Sequence, residues 1–522
     1  MIPNQMWDGH YYCHMHLPNP GKDLSDFQVE FERIVHDAGD GVADFTEFVF
    51  PALLPRRREF SASCIFNRAR FTRRADFGTT RFAKDVDFSQ ATFEEGADFT
   101  QATFYGIANF IQARFEHLAR FREATFRQAA HFDHAEFRQG ADMRGTAFRD
   151  HAQFTASRFS ESTRFILPVF EKQADFSGVT FLQDVEFVHA RFADLADFTR
   201  ARFLGAAQFR EVNFRRDEQR VPGPVFSLAE FSRPEAAVFY KTYLGQALFH
   251  NCDVSKTGFS SVEWRRRKGS GKQMIFEEEV DLAHHTARAV NSTQGGGGQR
   301  EYGLIAELYQ QLKKNYDDKR DYWTAGDFHF GEMEMKRLAS PRRNRFLRGL
   351  HRYFGLVALY RYASQYGESY VRPALLLFGV LLAFSLLYPV AGLRYGPVKD
   401  QRVISHAEPP GSAIPAPPKV QGTEVYANQA AGIEPERTTD AVVLTYRHPF
   451  RPGEQDNRPR WLARLRLTWH CFWVSIFVAF FQKELVYEPV YLWGRVMAVS
   501  EQALTSTLFA LFLLAVRRRF RR

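Results

Sequence analysis

The chain has 522 residues, of which 45% are apolar and 25% charged, with a formal net charge of +9. This length calls for several domains, and the apolar and charged shares are those of a folded chain. The positive excess points to nucleic acid or to an anionic membrane, and the position of the charges decides between them.

Residues 1–59 read as an N-terminal cap. Met1 to His16 hold no basic stretch followed by an apolar run, so no secretory signal is expected and the following domain is placed in the cytoplasm. Asp23 to Ala38 predicts a short amphipathic helix with Leu24, Phe27, Phe31 and Ile34 on one side. Its place ahead of a repeat array suits a cover over the array's first edge.

From Phe60 to Phe214 a large apolar residue returns at alternating steps of five and six, as at Phe60, Phe66, Phe71, Phe77, Phe82 and Phe88, with Met143 filling one place. Neither a helix nor an ordinary half-buried strand has this period. A coil that turns a corner at each Phe does, and such a unit buries its apolar side only by stacking on its neighbours. The residue two before each Phe is usually Ala, as at Ala69, Ala75, Ala91 and Ala97. After Pro222, Gly223 and Pro224 a plain period of five follows at Phe239, Leu244, Phe249, Val254, Phe259 and Trp264. Faces of five, six, five and six residues predict coils of 22, about seven of them over the main array, or a rod of roughly 34 Å at about 4.8 Å per coil. A flattened coil of eleven is the alternative.

The small–x–large pattern resembles the pentapeptide-repeat family, with Phe in place of the usual Leu. The resemblance implies a right-handed, four-sided β-helix over residues 60–268, with small and large residues pointing inward. Its outer faces carry 22 Lys/Arg against 20 Asp/Glu between Phe60 and Arg216. That balance gives no support to a DNA-mimicking acidic rod, and Arg73, Arg74, Arg127 and Arg138 read as a solvated face; no nucleic-acid partner is expected.

Residues 269–299 read as a flexible linker with Gly295 to Gly298 at its hinge. Next, Arg300–Tyr316 and Tyr322–Leu338 predict two helices that resemble one tetratricopeptide-type hairpin, which needs neighbours or copies of itself to pack against. Glu332 and Glu334 stand two apart, on different sides of a helix, and do not suit a paired-carboxylate acid/base site. Leu356 to Val371 reads as an interfacial helix that closes the 300–372 region.

Pro373 to Leu393 holds no charge and would reach roughly 31 Å as a helix, enough to cross a bilayer, and a second crossing is placed at 493–516. Lys336 to Arg372 contain nine Lys/Arg against Glu368 alone, and the last six residues contain five Arg. Basic clusters ahead of the first run and behind the second (517–522) place both termini in the cytoplasm, with loop 394–466 outside and Arg372, Arg517, Arg518 and Arg519 at the membrane surface. These positions favour the membrane over nucleic acid. Between loop and second crossing, Leu467 to Phe481 is apolar but only about 22 Å long as a helix. It is expected to re-enter the bilayer, with residues 467–492 forming half-helix and turn.

Crossing, half-helix, turn, crossing resembles the two-helix pore module of potassium-type channels, as fused to pentapeptide repeats in bacterial membrane proteins. AGDFHFGEMEMKR, LYRYASQYGES and the terminal RRRFRR share that likeness. The resemblance implies a homotetramer in the inner membrane. The turn, FQKELVYEP, departs from the module: it has no glycine, and a TxGYG-type filter is excluded. Lys483, Glu484 and Glu488 would instead form a charged ring at the mouth. Glu501, about 12 Å into the second crossing, would be functional, or else a protonated carboxyl or paired with Arg495 of a neighbouring copy.

No cofactor or metal is expected, since the four cysteines lie far apart without zinc-site spacing and read as thiols in a reducing compartment. No Ser/His/Asp set, phosphate loop or nucleotide fingerprint argues for an enzyme. Two functions follow as expectations. The first is an ion-channel-like membrane protein with a cytoplasmic sensor or interaction domain. The second is a membrane-anchored scaffold, its channel-derived anchor non-conducting, with a protein partner on the solenoid.

Overall fold

The computed structural model describes residues 5–7, 10–17, 23–51, 59–215, 221–280, 298–339, 345–391, 393–395, 433–438, 441–446, 468–469, 471–476, 478–479, 487–489 and 492–520. They form two compact units, Met1–Arg352 and Tyr353–Arg522.

In the first unit Phe71, Phe82 and Phe93 end short strands, Phe66, Phe77 and Phe88 directly follow theirs, and the strands stack in four parallel sheets of nine, nine, nine and seven. Pairing joins residues 22 apart, as in Val86↔Ala108, Phe93↔Phe115, Ala97↔Ala119 and Phe104↔Phe126. The coil is therefore four-sided with 22 residues, and the eleven-residue alternative is ruled out by this register. Past the Pro-Gly-Pro break the coil shortens to 20, with Phe239 paired to Phe259, as the plain period of five demands.

The alternation of five and six has a local cause. Five-residue steps turn through Phe–x–x–Ala with the Ala N–H bonded to the Phe carbonyl, as Ala91 to Phe88 and Ala102 to Phe99, each at 3.0 Å. The third residue of the turn is left-handed, with φ of 57° at Gln90, 58° at Gln101 and 57° at Gln112, which is the demand of a type II turn. An Asp or Asn just before the Phe steadies the corner: Asp87 accepts from Ser89 N at 2.8 Å and Asn109 from Ile111 N at 3.0 Å. Six-residue steps spend their extra residue on a wider bend.

Inside, the rings form ladders, unbroken in three columns and interrupted in the fourth by Met143 between Phe121 and Phe165. Phe104 and Phe126 lie 4.6 Å apart at 1°, and Phe110 and Phe132 4.9 Å apart at 0°, while neighbouring columns meet edge to face, as Phe110 and Phe121 at 5.6 Å and 89°. Both geometries suit the aromatic quadrupole. Each fully buried Phe contributes up to about 3 kcal/mol of hydrophobic stabilisation, and the ladder repeats that contribution along the rod.

Both ends are covered. Helix Leu24–Ala38, capped by Asp23 whose side chain accepts from Ser25 N and Asp26 N, lays Phe27 and Phe31 on Phe50, Phe45 and Phe60. Leu24, expected on that apolar side, is exposed, and the helix buries only Phe27 and Phe31 fully. The first coil begins at Val42–Asp44 and Val49–Phe50, within the region read as cap, since those strands already pair with Ser63–Ile65 and Arg70–Phe71.

At the far end, helices Gly298–Asp318 and Tyr322–Leu338 close the core. Trp264 donates its indole N–H to the Tyr316 hydroxyl at 2.8 Å, Tyr316 stacks on Phe259, and Phe328 meets Trp264 edge-on. Asn315 donates to the Val254 and Thr257 carbonyls at 2.9 and 2.7 Å, satisfying groups that a further coil would have paired. Residues 273–280, read as linker, are instead packed: Gln273–Met274 pairs with Arg265–Arg266, and Ile275 and Phe276 are buried. Three apolar residues in a row outweigh the polar composition around them. The Gly-rich hinge before Gly298, with His284 and His285, lies outside the described residues.

In the second unit, helices Leu356–Ser364, Val371–Ala391 and Leu492–Phe520 pack together. Strand Leu393–Tyr395 pairs antiparallel with Tyr487–Pro489, bringing the end of the second helix beside the start of the last. Residues 371–388 and 492–518 are long and apolar enough to cross a membrane, with mean hydropathy 2.0 and 1.6. Helical residues 471–476 pack between them through Cys471 and Val474, next to Phe384, Tyr388 and Ala498.

Candidate functional site

The most unusual polar group in the second unit is Glu501. A carboxylate nine residues into an apolar helix has no water to solvate it, so its partners decide its role. Glu501 is 0% exposed and accepts from the hydroxyls of Tyr388 and Ser475. Ser475 Oγ also lies 3.2 Å from the Leu381 carbonyl, and Thr505 Oγ1 donates to the Glu501 carbonyl at 2.8 Å. One carboxyl thus ties three segments together: Tyr388 comes from the first apolar helix, Ser475 from residues 471–476, and Glu501 from the second. The sequence marked Glu501 alone; Tyr388 and Ser475 carried no signal, because Tyr and Ser are common in apolar helices.

The remaining candidates do not gather around it. Lys483 and Glu484 lie outside the described residues, and Glu488 stands in the strand paired with Leu393–Tyr395, opposite Arg394. Arg372 and Arg517 are exposed. Arg518 faces inward, 3.4 Å from Glu368, and donates to the Tyr366 carbonyl at 3.1 Å; the side chain of Arg519 is outside the described set.

On the solenoid, charges pair from coil to coil. Arg70 meets Glu94 at 2.7 Å, Arg73 meets Glu95 at 2.8 Å, Arg138 meets Glu116 at 3.0 Å, and Arg149 meets Glu171. Such rungs mix both signs along the face, and each exposed pair is worth about 0–1 kcal/mol.

The solenoid's C-terminal cover holds buried charge. Glu278 receives both Arg267 nitrogens at 2.5 and 2.6 Å and the Tyr309 hydroxyl at 2.7 Å. Tyr309 packs on Gly331, where a Cβ would lie 2.4 Å from its ring. Glu332 and Glu334 are both buried, Glu334 against Arg337 at 2.8 Å and Glu332 against Lys336 at 2.5 Å, so neither is free for acid/base work. His329, with Lys336, holds the Glu332 carboxyl down at about 2. Beside this network a cavity of about 250 Å³ is lined by Phe249, His250, Cys252, Glu277 and Leu308, among others. Burial pushes Glu277 up to about 7 and the Cys252 thiol up to about 12, making that thiol unreactive. Glu277 accepts from Phe249 N. No cluster suited to a metal ion occurs among the described residues.

A four-sided β-solenoid capped at both ends, followed by a helical region with two apolar helices, is the class of protein that these observations define. Residues 88–136 and 165–213 match the family described as pentapeptide repeats (9 copies), so the solenoid is a pentapeptide-repeat domain. No curated protein and no solved structure matches the chain.

Proposed function

We propose that the protein is a membrane-anchored scaffold: a rigid pentapeptide-repeat rod on the cytoplasmic side offers its outer faces to a protein partner, and the apolar helices anchor and assemble it as a non-conducting homo-oligomer. The observation that carries this reading is the burial of Glu501 within its own chain, bonded to Tyr388 and Ser475. A carboxyl so engaged is a clamp on the helix packing rather than a charge lining a conduit. The membrane anchor is supported by the bareness of the two apolar helices, since only 22% of each span is buried within the chain, far less than for a core helix. The basic runs around Arg372 and Arg517 to Arg522 favour cytoplasmic termini.

A second reading, the ion-channel-like protein, draws on the order of crossing, short helix and crossing. Ion flux from vesicles carrying the full-length protein separates the two. The scaffold predicts that they hold a potassium gradient as well as empty vesicles; a steady conductance that Glu501→Gln alters would establish the conduit. Whether the 467–481 segment re-enters on the side it left is read by impermeant labels at Lys483 and Arg460: labels on one surface support re-entry, labels on opposite surfaces refute it.

A further inference from the structure

Helix Leu356–Ser364 is anchored on one side and bare on the other. Ala358, Ser364 and Tyr366 are buried in the unit. The chain leaves the helix through three successive left-handed residues, Gln365 (φ 51°), Tyr366 (φ 62°) and Gly367 (φ 82°). Two of these are not glycine, and such a turn persists only where its surroundings hold it in place. Here the Gln365 N–H returns to the Arg361 carbonyl at 2.9 Å and the Ser369 N–H to the Ser364 carbonyl at 3.0 Å. Arg518, from the end of the last helix, donates to the Tyr366 carbonyl and pairs with Glu368. The helix is therefore fixed relative to both apolar helices.

Its other side carries Leu356 at 84% exposure, with Leu359 and Tyr362, and Phe354 just before it is 71% exposed. A soluble surface rarely shows so many large apolar groups together. Two features say what covers them. The bare side chains resume within the first turns of the next helix, at Leu375, Leu376 and Phe378, so one apolar surrounding serves both. From Arg345 to Arg372 the sequence has five Arg and a single acid, Glu368, which pairs with Arg518, so this stretch carries a net positive charge, with Arg372 exposed.

We propose that residues 354–362 form a fixed shelf that lies at headgroup depth and binds anionic phospholipid, with Phe354, Leu356, Leu359 and Tyr362 among the upper acyl chains and the exposed Arg372 at the phosphates. This rests on the membrane reading above, and adds a lipid-selective platform fixed to the two apolar helices.

The test uses the full-length protein, with Cys13 changed to serine, in vesicles of phosphatidylcholine alone or mixed with phosphatidylglycerol. A spin label at Leu359→Cys is compared with one at Leu382→Cys on the first apolar helix. The shelf predicts that the 359 label meets oxygen more readily than a polar nickel chelate, sits shallower than the 382 label, and loses mobility as phosphatidylglycerol is added. Arg372→Gln should shift the midpoint of that titration by about fivefold, the effect of one surface charge. A 359 label exposed to the nickel chelate while the 382 label stays in lipid overturns the shelf and leaves the anchor standing; both labels in water overturn both. Equal response in the two vesicle types overturns the lipid selectivity.

Discussion

The solenoid and the two apolar helices are both rich in large apolar residues, yet they treat them in opposite ways. In the rod, Phe66, Phe88, Phe110 and Phe132 are wholly buried by neighbours in the same chain, one coil above and one below. In the helices, Leu375, Phe378, Leu382 and Leu386 remain bare, and the internal packing turns on one carboxyl and two hydroxyls. The difference lies in period. A step that matches the coil brings every ring onto its own stack, whereas a helix that is apolar all round cannot bury all of its faces in a unit this small. Buried area stabilises the rod wherever it stands, while the helices leave most of their apolar surface uncovered by their own chain.

Breaking the comparison at its strongest point means opening the ladder. Phe110→Ala should cost about 3–5 kcal/mol in denaturant unfolding of the full-length protein in detergent, since rings on either side cannot close the gap without breaking register. Second comes the C-terminal cover. Glu277, at about 7 in the fold against an ordinary 4.5, is favoured neutral, so its effect is absent below 4.5, the fold loses stability as pH rises from 4.5 to 7, and the loss levels off above. Glu277→Gln should therefore raise stability by about 3 kcal/mol at pH 8 and leave it unchanged at pH 4, read from paired melts.

Glu501→Ala should cost about 1–3 kcal/mol by stranding the Tyr388 and Ser475 hydroxyls, with Glu501→Gln milder because it keeps an acceptor; thermal unfolding in detergent compares them. Gly331→Ala drives a methyl into the Tyr309 ring and should cost about 1–3 kcal/mol in the same assay. Smallest of all, Arg70→Ala removes one exposed rung and should change stability by less than about 1 kcal/mol, less still at high salt. A large loss there would mean that outer charges, rather than rings, hold the rod.

Much of the rod was legible before any coordinates. Its steps of five and six predicted a 22-residue coil, and the small residue before each Phe predicted the second inward position, because both follow from geometry repeated every few residues. The Asp or Asn ahead of alternate Phe residues was in plain view as well, but its task of bonding the N–H two residues on appears only once the corner is drawn. At the ends, pattern reading fared less well. Leu24 lies on the helical stripe with Phe27 and Phe31 yet is exposed, and residues 273–280 look like linker although Ile275 and Phe276 are buried.

The candidate site was legible only as a single residue. Glu501 stood out because a carboxylate in an apolar helix is costly, but its partner Tyr388 is 113 residues away and Ser475 is 26 away, and neither spacing belongs to any repeat. What the amino-acid order determined by itself is everything a short period can propagate: the four faces, the inward small and large positions, and two helices apolar enough for a bilayer. Which groups meet at the caps, and that Glu501 is spoken for within its own chain, tertiary structure alone decided, because those contacts join segments whose separation in sequence carries no pattern.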